Sequence, residues 1–293
     1  MQHRGWIIYN GNLYSKKFSE QVEWLKTTAL AFDIELTPMK NNELVVLIEG
    51  GKAIIKPPIE LPDFVFFWDK DLFLARQLEE LGLRLFNQAS AIEICDDKAL
   101  TYQQLAGHGI RMPKTIIAPK IFIDLTDTSH LSHVIESLGF PMVIKEAFGS
   151  FGEQVYLIHN EQELYDKVTE LGNKPFLFQE FIQTSYGKDL RLNVVGDEVK
   201  AAMLRKSDHD FRANVTAGGK MYTYQPSEQE KDLAITCTKL VGADFAGVDL
   251  LIGENGEPIL CEINSNAHFK NIYDCTGIDL TQAMLKYIKE TIS

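Results

Sequence analysis

Short apolar runs alternate with helix-like segments at the start of the chain, and this alternation constrains the fold more than any other feature. The apolar runs that we predict to be buried strands are residues 5–10, 63–68 and 84–87. Residues 18–32 and 71–81 carry apolar side chains at helical spacing, and Gly82 is a typical helix stop. Strands that alternate with helices predict a small parallel α/β unit, which we place at residues 1–90.

After Pro113 the pattern changes to paired strands with fewer helices between them. The predicted strands are residues 114–118, 142–146, 155–159, 175–181, 189–195, 199–206, 246–252 and 258–263. The predicted helices are residues 129–138, 161–171, 227–241 and 279–292. Turns at 196–197 and 254–256 favour antiparallel pairs, so we predict an α+β region made of the units 91–175 and 176–293.

The junction between the two regions has a helix-start signal. Ser90 and Glu93 have the spacing of a capping box, which predicts a helix N-terminus at Ser90. The segment that follows runs through Asp97-Lys98 to His108 and ends before Pro113.

Acidic residues outnumber basic ones, and this excludes some classes of partner. The formal net charge is −12, from 29 Lys and Arg against 41 Asp and Glu. Such a surface repels polyanions, so we predict no binding to nucleic acid or anionic membranes, although a local phosphate pocket stays compatible. The four cysteines include no C-x-x-C pair, which favours reduced thiols. No apolar stretch suits a signal peptide or a membrane span, so we predict a cytoplasmic protein.

A lysine and a glycine loop follow one another after the strand at 142–146. Val143-Ile144-Lys145 precedes Gly149-Ser150-Phe151-Gly152. Glycines let backbone N–H groups turn toward a ligand, and such loops wrap phosphates. The loop matches neither G-x-G-x-x-G nor the Walker A motif. Taken alone, a two-glycine turn between strands is more often a simple hairpin.

Three oxygen-bearing side chains fall on two strands that are expected to pair. Glu262 and Asn264 are two apart and therefore face the same side of a strand, and Asp249 lies on the neighbouring strand. Oxygen ligands suit Mg²⁺, which shares its remaining positions with phosphates and water. The alternative is a solvated acidic face, but these residues interrupt strongly apolar runs, where a charge needs a partner. We therefore predict a metal site.

Cationic residues are held within strands and turns of the second region. They are Arg191 beside Asp189, then Arg205, and then Arg212-Ala213-Asn214. In an acidic protein they suggest a focused anion site. For any single arginine, an ordinary surface salt bridge is about as good an explanation. His268 lies just beyond the metal candidates, where a structural role is the better interpretation.

Taken together, these segments resemble the ATP-grasp superfamily and, more narrowly, its RimK-type amino-acid ligases. The matching residues, in chain order, are Asn87, Asp97-Lys98, Pro113-Lys114-Thr115, Val143-Ile144-Lys145, Gly149-Ser150-Phe151-Gly152, Gln179-Glu180-Phe181-Ile182, Asp189-Leu190-Arg191, Arg205, Arg212-Ala213-Asn214, Gly218-Gly219, Gly247-Val248-Asp249 and Glu262-Ile263-Asn264. The resemblance covers nearly the whole chain. It implies an ATP-grasp fold, α/β and α+β, with the N-terminal parallel α/β unit as a pre-ATP-grasp domain.

The resemblance also implies roles for the matching residues. Lys98 and Lys145 would contact the phosphates of ATP, and the loop of Gly149, Ser150 and Gly152 would close over them. The residues implied for the adenine pocket are Gln179, Glu180, Phe181 and Ile182. Asp189 would lie near the ribose. Arg212, Ala213 and Asn214 would approach the phosphates. Asp249, Glu262 and Asn264 would hold Mg²⁺, with two ions expected and Mn²⁺ as a substitute.

The chemistry implied is an ATP-dependent ligation. A carboxylate attacks the γ-phosphate, and an amine then attacks the acyl phosphate to give an amide, ADP and phosphate. Arg205 and Arg212 are candidates for steadying the carboxylate or the tetrahedral intermediate, and Arg191 is a further catalytic candidate. The substrates would be a small-molecule or peptide carboxylate and an amino acid or other amine. The sequence leaves a homo-oligomer open.

Two alternatives to this interpretation stay open. One is an ATP-binding regulatory protein of the same fold without ligase activity, although its phosphate and metal residues would be expected to be damaged. The other is a dipeptide or glutathione-type ligase. Residues 266–271 depart from the small-residue turn usual in the family, so the substrate cannot be transferred from the family name.

Overall fold

The structure is a computed structural model that describes residues 2–13, 16–123, 126–149, 152–215 and 218–293, with the side chains of 16 and 17 excepted. The first region contains strands β1 (His3–Tyr9), β2 (Ile34–Lys40), β3 (Val45–Glu49), β4 (Lys52–Lys56), β5 (Phe64–Trp68) and β6 (Leu85–Phe86). Its helices are α1 (Lys16–Ala29) and α2 (Leu72–Glu80). A parallel sheet of order β2-β1-β5-β6 forms this unit, as predicted.

Three strands of this region escaped prediction, and each has a local reason. β2 contains Pro38, which a central strand would exclude, but β2 is the edge strand and tolerates it. β3 and β4 form a separate hairpin. Its turn is Gly50-Gly51, with φ values of 60° and 76° that only glycine adopts readily.

The capping-box prediction at Ser90 and Glu93 is wrong. Helix α3 (Ala89–Asp96) begins two residues earlier than a Ser90 N-cap would place it, with Gln88 at the N-cap and no side-chain cap. The Ala89 N–H instead donates to Glu79 Oε1 at 2.8 Å, so a carboxylate from α2 replaces the local cap. Helix α4 (Lys98–Leu105) follows, and Asp97 Oδ1 caps it by accepting from the Ala99 N–H at 2.8 Å.

The rest of the chain forms two antiparallel sheets. The next elements are β7 (Thr115–Ile117), α5 (Leu131–Leu138), β8 (Met142–Glu146), β9 (Val155–Ile158), α6 (Glu161–Leu171) and β10 (Phe176–Glu180). The last elements are β11 (Lys188–Val195), β12 (Glu198–Lys206), β13 (Lys220–Thr223), α7 (Glu228–Leu240), β14 (Phe245–Ile252), β15 (Pro258–Asn264), α8 (Phe269–Thr276) and α9 (Leu280–Ile292). The sheet orders are β7-β10-β8-β9 and β13-β12-β11-β14-β15.

The strand pairings concern the predicted boundary between residues 175 and 176. The division of the chain into three units stays a prediction. β10 pairs with β7 and β8, so residues 176–180 belong to the sheet of the second predicted unit. Helix α8 was not predicted, and it begins at Phe269 within the unusual 266–271 segment. Within the described ranges, every helix is too short or too polar to span a lipid bilayer.

The C-terminal helices fasten the N-terminal sheet to the five-stranded sheet. One apolar cluster contains Ile7 and Phe66 of the first sheet together with Phe269 of α8 and Leu285 of α9. The Trp24 indole N–H donates to Asp279 Oδ2 at 3.2 Å across the same contact. Burial of large apolar side chains is the main stabilising term here. As a result, the carboxyl ends of β1 and β5 face the end of β15.

Candidate active site

A cavity of about 450 Å³ lies where the N-terminal sheet meets the five-stranded sheet. One wall comes from β11, β12, β14 and β15 and includes Arg191, Arg205, Asp249, Glu262 and Asn264. The loops after β1 and β5 form the facing wall. Gly149 and Asn214 also line the cavity. Seven of the residues predicted from sequence therefore meet at one place.

The three predicted metal ligands share one part of this wall. Asp249 and Glu262 are direct partners across β14 and β15, and Asn264 pairs with Gly247. A bulge between Asp249 and Leu250 sets this register, because it places Cys261 between the paired residues Leu260 and Glu262. Asn264 Nδ2 donates to the Gly247 carbonyl at 3.4 Å, which leaves its Oδ1 as an acceptor.

The three oxygen donors fit Mg²⁺ when phosphate and water oxygens complete its coordination shell. Glu262 has no hydrogen-bond or ion-pair partner among the described residues. In the same part of the chain, no cluster of three or more His, Cys, Asp or Glu side chains could hold a metal by itself. Two carboxylates and one amide are hard oxygen donors, and Mg²⁺ typically takes few protein ligands and completes its shell with phosphates and water. The metal assignment stays a prediction that the residues fit.

Asp249 also belongs to a buried chain of ion pairs. Arg191 binds both of its oxygens through Nε and Nη2, the second at 2.8 Å. Arg205 Nη2 reaches Asp249 Oδ2 at 3.0 Å and holds Asp189 through Nε and Nη2 at 2.6 and 2.7 Å. Burial alone would raise the pKa of Asp249, but Arg191 and Arg205 outweigh it and hold that pKa below its usual value.

The same chain of ion pairs fixes the two guanidinium groups. Burial would lower the pKa of Arg205, and the Asp189 and Asp249 carboxylates reverse this and raise it. Nη1 of Arg191 and Nη1 of Arg205 donate to no described residue. Each group therefore retains an N–H for an oxyanion, in an orientation that the carboxylates hold.

The two predicted phosphate lysines are both buried, and neither is among the residues that line the cavity. Lys145 Nζ is 3.7 Å from Cys261 Sγ, beside Glu262, and Lys98 Nζ donates to the Gly149 carbonyl at 3.3 Å. Burial lowers the pKa of Lys98, with Glu262 opposing and Lys145 adding to that change. Burial also acts against the charge of Lys145, but Cys261, Tyr102 and Glu262 raise its pKa on balance. An anion between these lysines would relieve their repulsion.

Gly152 of the glycine loop contacts the turn at residues 212–214, which was predicted to approach the phosphates. Arg212 Nη1 donates to the Gly152 carbonyl at 2.6 Å, and its Nε and Nη2 bind Asp210. A side chain at Gly152 would meet Asn214 Oδ1 at 2.6 Å, so glycine permits this approach. Arg212 and Gly152 do not line the cavity, and Ala213 is buried. Ser150 lies outside the described residues.

The residues predicted for adenine and ribose lie away from the cavity. Gln179 Nε2 donates to Thr115 Oγ1 at 2.9 Å, and Glu180 Oε2 accepts from the Lys114 N–H at 3.0 Å. The Phe181 ring packs edge-to-face on Tyr186 and Phe211, with Ile182 following it. Asp189 is not at the cavity wall either, since both its oxygens bind Arg205. Their nucleotide roles stay predictions.

Apart from His268 and the segment 266–271, which the sequence had already singled out, sequence reasoning missed the facing wall of the cavity. Its residues include Asn10, Asn12, Phe18, Trp68, Asp69 and His268. Phe18, Trp68 and His268 form an aromatic cluster with ring centroids 5.1 to 6.0 Å apart. Asn10 and Asp69 directly follow β1 and β5, and ligands of open parallel sheets bind outside the carboxyl ends of the strands. That rule was the available signal.

Comparison with solved structures identifies the fold. The fold is similar to that of the ATP-grasp ligase PsnB complexed with a minimal precursor, with a TM-score of 0.73, 17% identity and coverage of 100% of both chains. It is also similar to VanG D-Ala:D-Ser ligase from Enterococcus faecalis, with a TM-score of 0.72, 18% identity and coverage of 98% of this chain and 99% of that one. The predicted ATP-grasp fold is confirmed.

Sequence comparison then gives the family. Residues 95–288 match the RimK-like ATP-grasp domain, and the chain belongs to this family. It is 33% identical over 269 residues to N-acetylaspartylglutamate synthase A from Homo sapiens, covering 87% of this chain and 68% of that protein. It is 36% identical over 218 residues to a probable alpha-L-glutamate ligase from Legionella pneumophila (strain Corby), covering 73% and 70%. The chain is therefore an ATP-dependent ligase that forms amide bonds, as the resemblance predicted.

Proposed function

We propose that this ligase joins the carboxylate of a small molecule or peptide to an amino acid or other amine through an acyl phosphate, using ATP and Mg²⁺. The observation that carries the proposal is that Glu262, Asn264 and the Asp249 ion-pair chain line one cavity together with Arg191 and Arg205. The Nη1 group of each arginine donates to no residue that the structure describes. Phosphoryl transfer needs positioning and charge neutralisation, and this wall supplies both.

Each group has a distinct task in this proposal. Asp249, Glu262 and Asn264 would hold two Mg²⁺ ions, which neutralise phosphate charge when bound. Lys98 and Lys145 hold the phosphate oxygens, and Gly149 and Gly152 let the loop approach them. Arg191 and Arg205 point their remaining N–H groups at the oxyanion of the reacting carboxyl group, with Arg212 keeping the glycine loop in place. The loop shields the acyl phosphate from water.

The relatives suggest the amine. The names of N-acetylaspartylglutamate synthase A, of beta-citrylglutamate synthase B from Danio rerio and of the alpha-L-glutamate ligase all contain glutamate. A structural neighbour, PsnB, is complexed with a precursor, Mg and ADP. We therefore take glutamate as the first amine to test and leave the carboxylate to be found by experiment.

The test is a search for products. Purified protein is incubated with ATP, Mg²⁺, glutamate or another amino acid, and cell extract as the source of carboxylates. We expect ADP release and products heavier by one amino-acid residue in mass spectra. If ATP binds but neither ADP nor any mass gain follows across the whole panel, the ligase proposal fails and a regulatory ATP-binding role replaces it.

A further inference from the structure

Asp69 carries a carboxylate oxygen that the described residues leave without a hydrogen-bond partner. The residue follows β5 at the cavity wall and is only 8% exposed. Its Oδ1 accepts from the Lys70 N–H at 2.7 Å and from Asn10 Nδ2 at 3.3 Å. Its Oδ2 is buried and accepts no hydrogen bond from the part of the chain that the structure describes. An acceptor shielded from water without a donor is unfavourable, so this oxygen points to a missing partner.

The surrounding loops hold Asp69 in place. The Asn266 side chain donates through Nδ2 to the Asp69 carbonyl at 2.7 Å, which joins the loop after β5 to the segment after β15. Asn10 Oδ1 accepts from the Asn12 N–H at 2.9 Å, and this fixes the loop after β1. The carboxylate is therefore set in position before a ligand arrives, which reduces the entropy lost on binding.

The charges around Asp69 favour a cation as the missing partner. Lys70 Nζ is bonded to Asp96, and Arg191 and Arg205 are bonded to Asp249. The other polar groups on this side of the cavity include the neutral amides of Asn10, Asn12 and Asn266. Burial raises the pKa of Asp69, and the neighbouring Asp71 carboxylate adds to this change, as expected for a buried carboxylate close to a second negative charge.

We propose that Asp69 binds the ammonium group of the amino-acid substrate, with Oδ2 accepting one of its N–H bonds. The inference rests on the proposed ligase function and adds the part of the cavity where that substrate lies: against the ends of β1 and β5, opposite Arg191 and Glu262. An ammonium supplies both the charge and the donor that the buried oxygen lacks.

The proposal is tested by binding, independently of turnover. The common amino acids are titrated calorimetrically into protein saturated with Mg²⁺ and a non-hydrolysable ATP analogue, and the best binder is then compared with its Nα-acetyl form. Asp69→Asn keeps the shape and removes the charge. Asp63→Asn is the matched control, because Asp63 is exposed and lies before the other end of β5. Thermal unfolding checks that each variant is folded.

We expect acetylation of the amino acid and Asp69→Asn each to weaken binding by at least about tenfold, the loss of one charged hydrogen bond. Affinity for the ATP analogue stays unchanged, and Asp63→Asn behaves as the parent protein. Equal binding of the acetylated form, unchanged binding to Asp69→Asn, or no binding by any amino acid would each overturn the proposal. The acetyl comparison needs no variant. Failure of the ligase function shows separately, as absent ADP release with amino-acid binding intact.

Discussion

Arg191 and Asp249 face each other on the neighbouring strands β11 and β14, and the guanidinium of Arg191 binds both carboxylate oxygens of Asp249. A residue predicted to act on the substrate is thereby joined to one predicted to hold the metal. Arg205 extends the contact to Asp189. The anion-binding and metal-binding parts of the wall are therefore one buried unit, and a change in either is expected to disturb both.

Arg191→Lys tests this coupling. Lysine keeps the charge but cannot donate two parallel N–H bonds to Asp249, so we expect kcat/KM to fall by about 10- to 100-fold, as for residues that orient metal ligands. The Mg²⁺ concentration needed for half-maximal turnover should rise as well. Steady-state kinetics at varied Mg²⁺ measures both. Arg76→Lys is the control, since Arg76 pairs with Glu93 at the surface, and its kinetics should match the parent protein. An unchanged Mg²⁺ dependence in Arg191→Lys would contradict the coupling.

If Lys98 contacts the phosphates as predicted, nucleotide binding should depend on pH. Burial lowers its pKa below the ordinary 10.5, so the free protein loses this charge at a lower pH than an exposed lysine would. A bound phosphate raises the pKa again, because it stabilises the ammonium. ATP affinity should therefore be greatest when Lys98 is protonated in the free protein and fall as pH rises through its lowered pKa.

Calorimetry in buffers of different ionisation enthalpy measures this effect. We expect net proton uptake on ATP binding between the lowered pKa of Lys98 and 10.5. Lys98→Met should abolish that uptake and weaken ATP binding by about 10-fold or more. Lys239→Met, at an exposed pair with Asp197, is the control and should titrate like the parent protein. Proton release, or uptake that persists in Lys98→Met, would show that another group is responsible.

Asn87 joins the N-terminal sheet to β14 and to the residue after β15, the two strands predicted to bear the metal ligands. Its Nδ2 donates to the Phe245 and Ser265 carbonyls, each at 2.9 Å, and its Oδ1 accepts from the N–H groups of Asp244 and Phe245 at 2.6 and 3.0 Å. The side chain is 1% exposed. Asn87→Ala leaves these groups buried and unpaired, so the free energy of unfolding should fall by about 3 kcal/mol.

Because Ser265 follows Asn264, the same substitution should also raise the Mg²⁺ requirement for turnover. Urea unfolding and Mg²⁺-dependent kinetics are the two measurements. Asn87→Asp keeps the acceptor and loses the donors, which separates the two halves of the contact. Asn255→Ala, at an exposed turn, should leave both quantities unchanged. If Asn87→Ala is less stable than the parent protein but has the same Mg²⁺ dependence, Asn87 has only a structural role.

Local pattern predicted the fold but could not supply strand register. The turn at Gly196 and Asp197 predicts that β11 and β12 pair, and simple counting from it sets Asp189 opposite Leu204. The bulge between Asn193 and Val194 shifts the pairing by one residue and brings Asp189 opposite Arg205. The Asp189–Arg205 ion pair follows from that bulge. Sequence alone could not place it, because bulges carry no reliable local signal.

The facing wall of the cavity could not be predicted from local sequence, because tertiary packing brings its residues together. Asp69 and Asn266 are distant in sequence, and they meet only because α8 and α9 fasten the first sheet to the last. In contrast, the pairing of the two strands that carry Asp249 and Glu262 could be predicted, since a short turn joins them, although a bulge sets the exact partner of Asp249. The residues of the wall predicted to hold the metal could therefore be named from the sequence, whereas the position of Asp69 at the cavity could not.

The central claim is that residues of β14 and β15 hold a metal ion that also binds the phosphates of the nucleotide. The most direct test measures the binding of Mn²⁺ to the Glu262→Gln variant in the presence of ADP. Electron paramagnetic resonance measures free Mn²⁺, and Glu254→Gln, in the exposed turn between the same two strands, is the control. We expect Mn²⁺ affinity to fall at least about tenfold in Glu262→Gln and to stay unchanged in Glu254→Gln. Parent-like Mn²⁺ affinity in folded Glu262→Gln would contradict the assignment of this site.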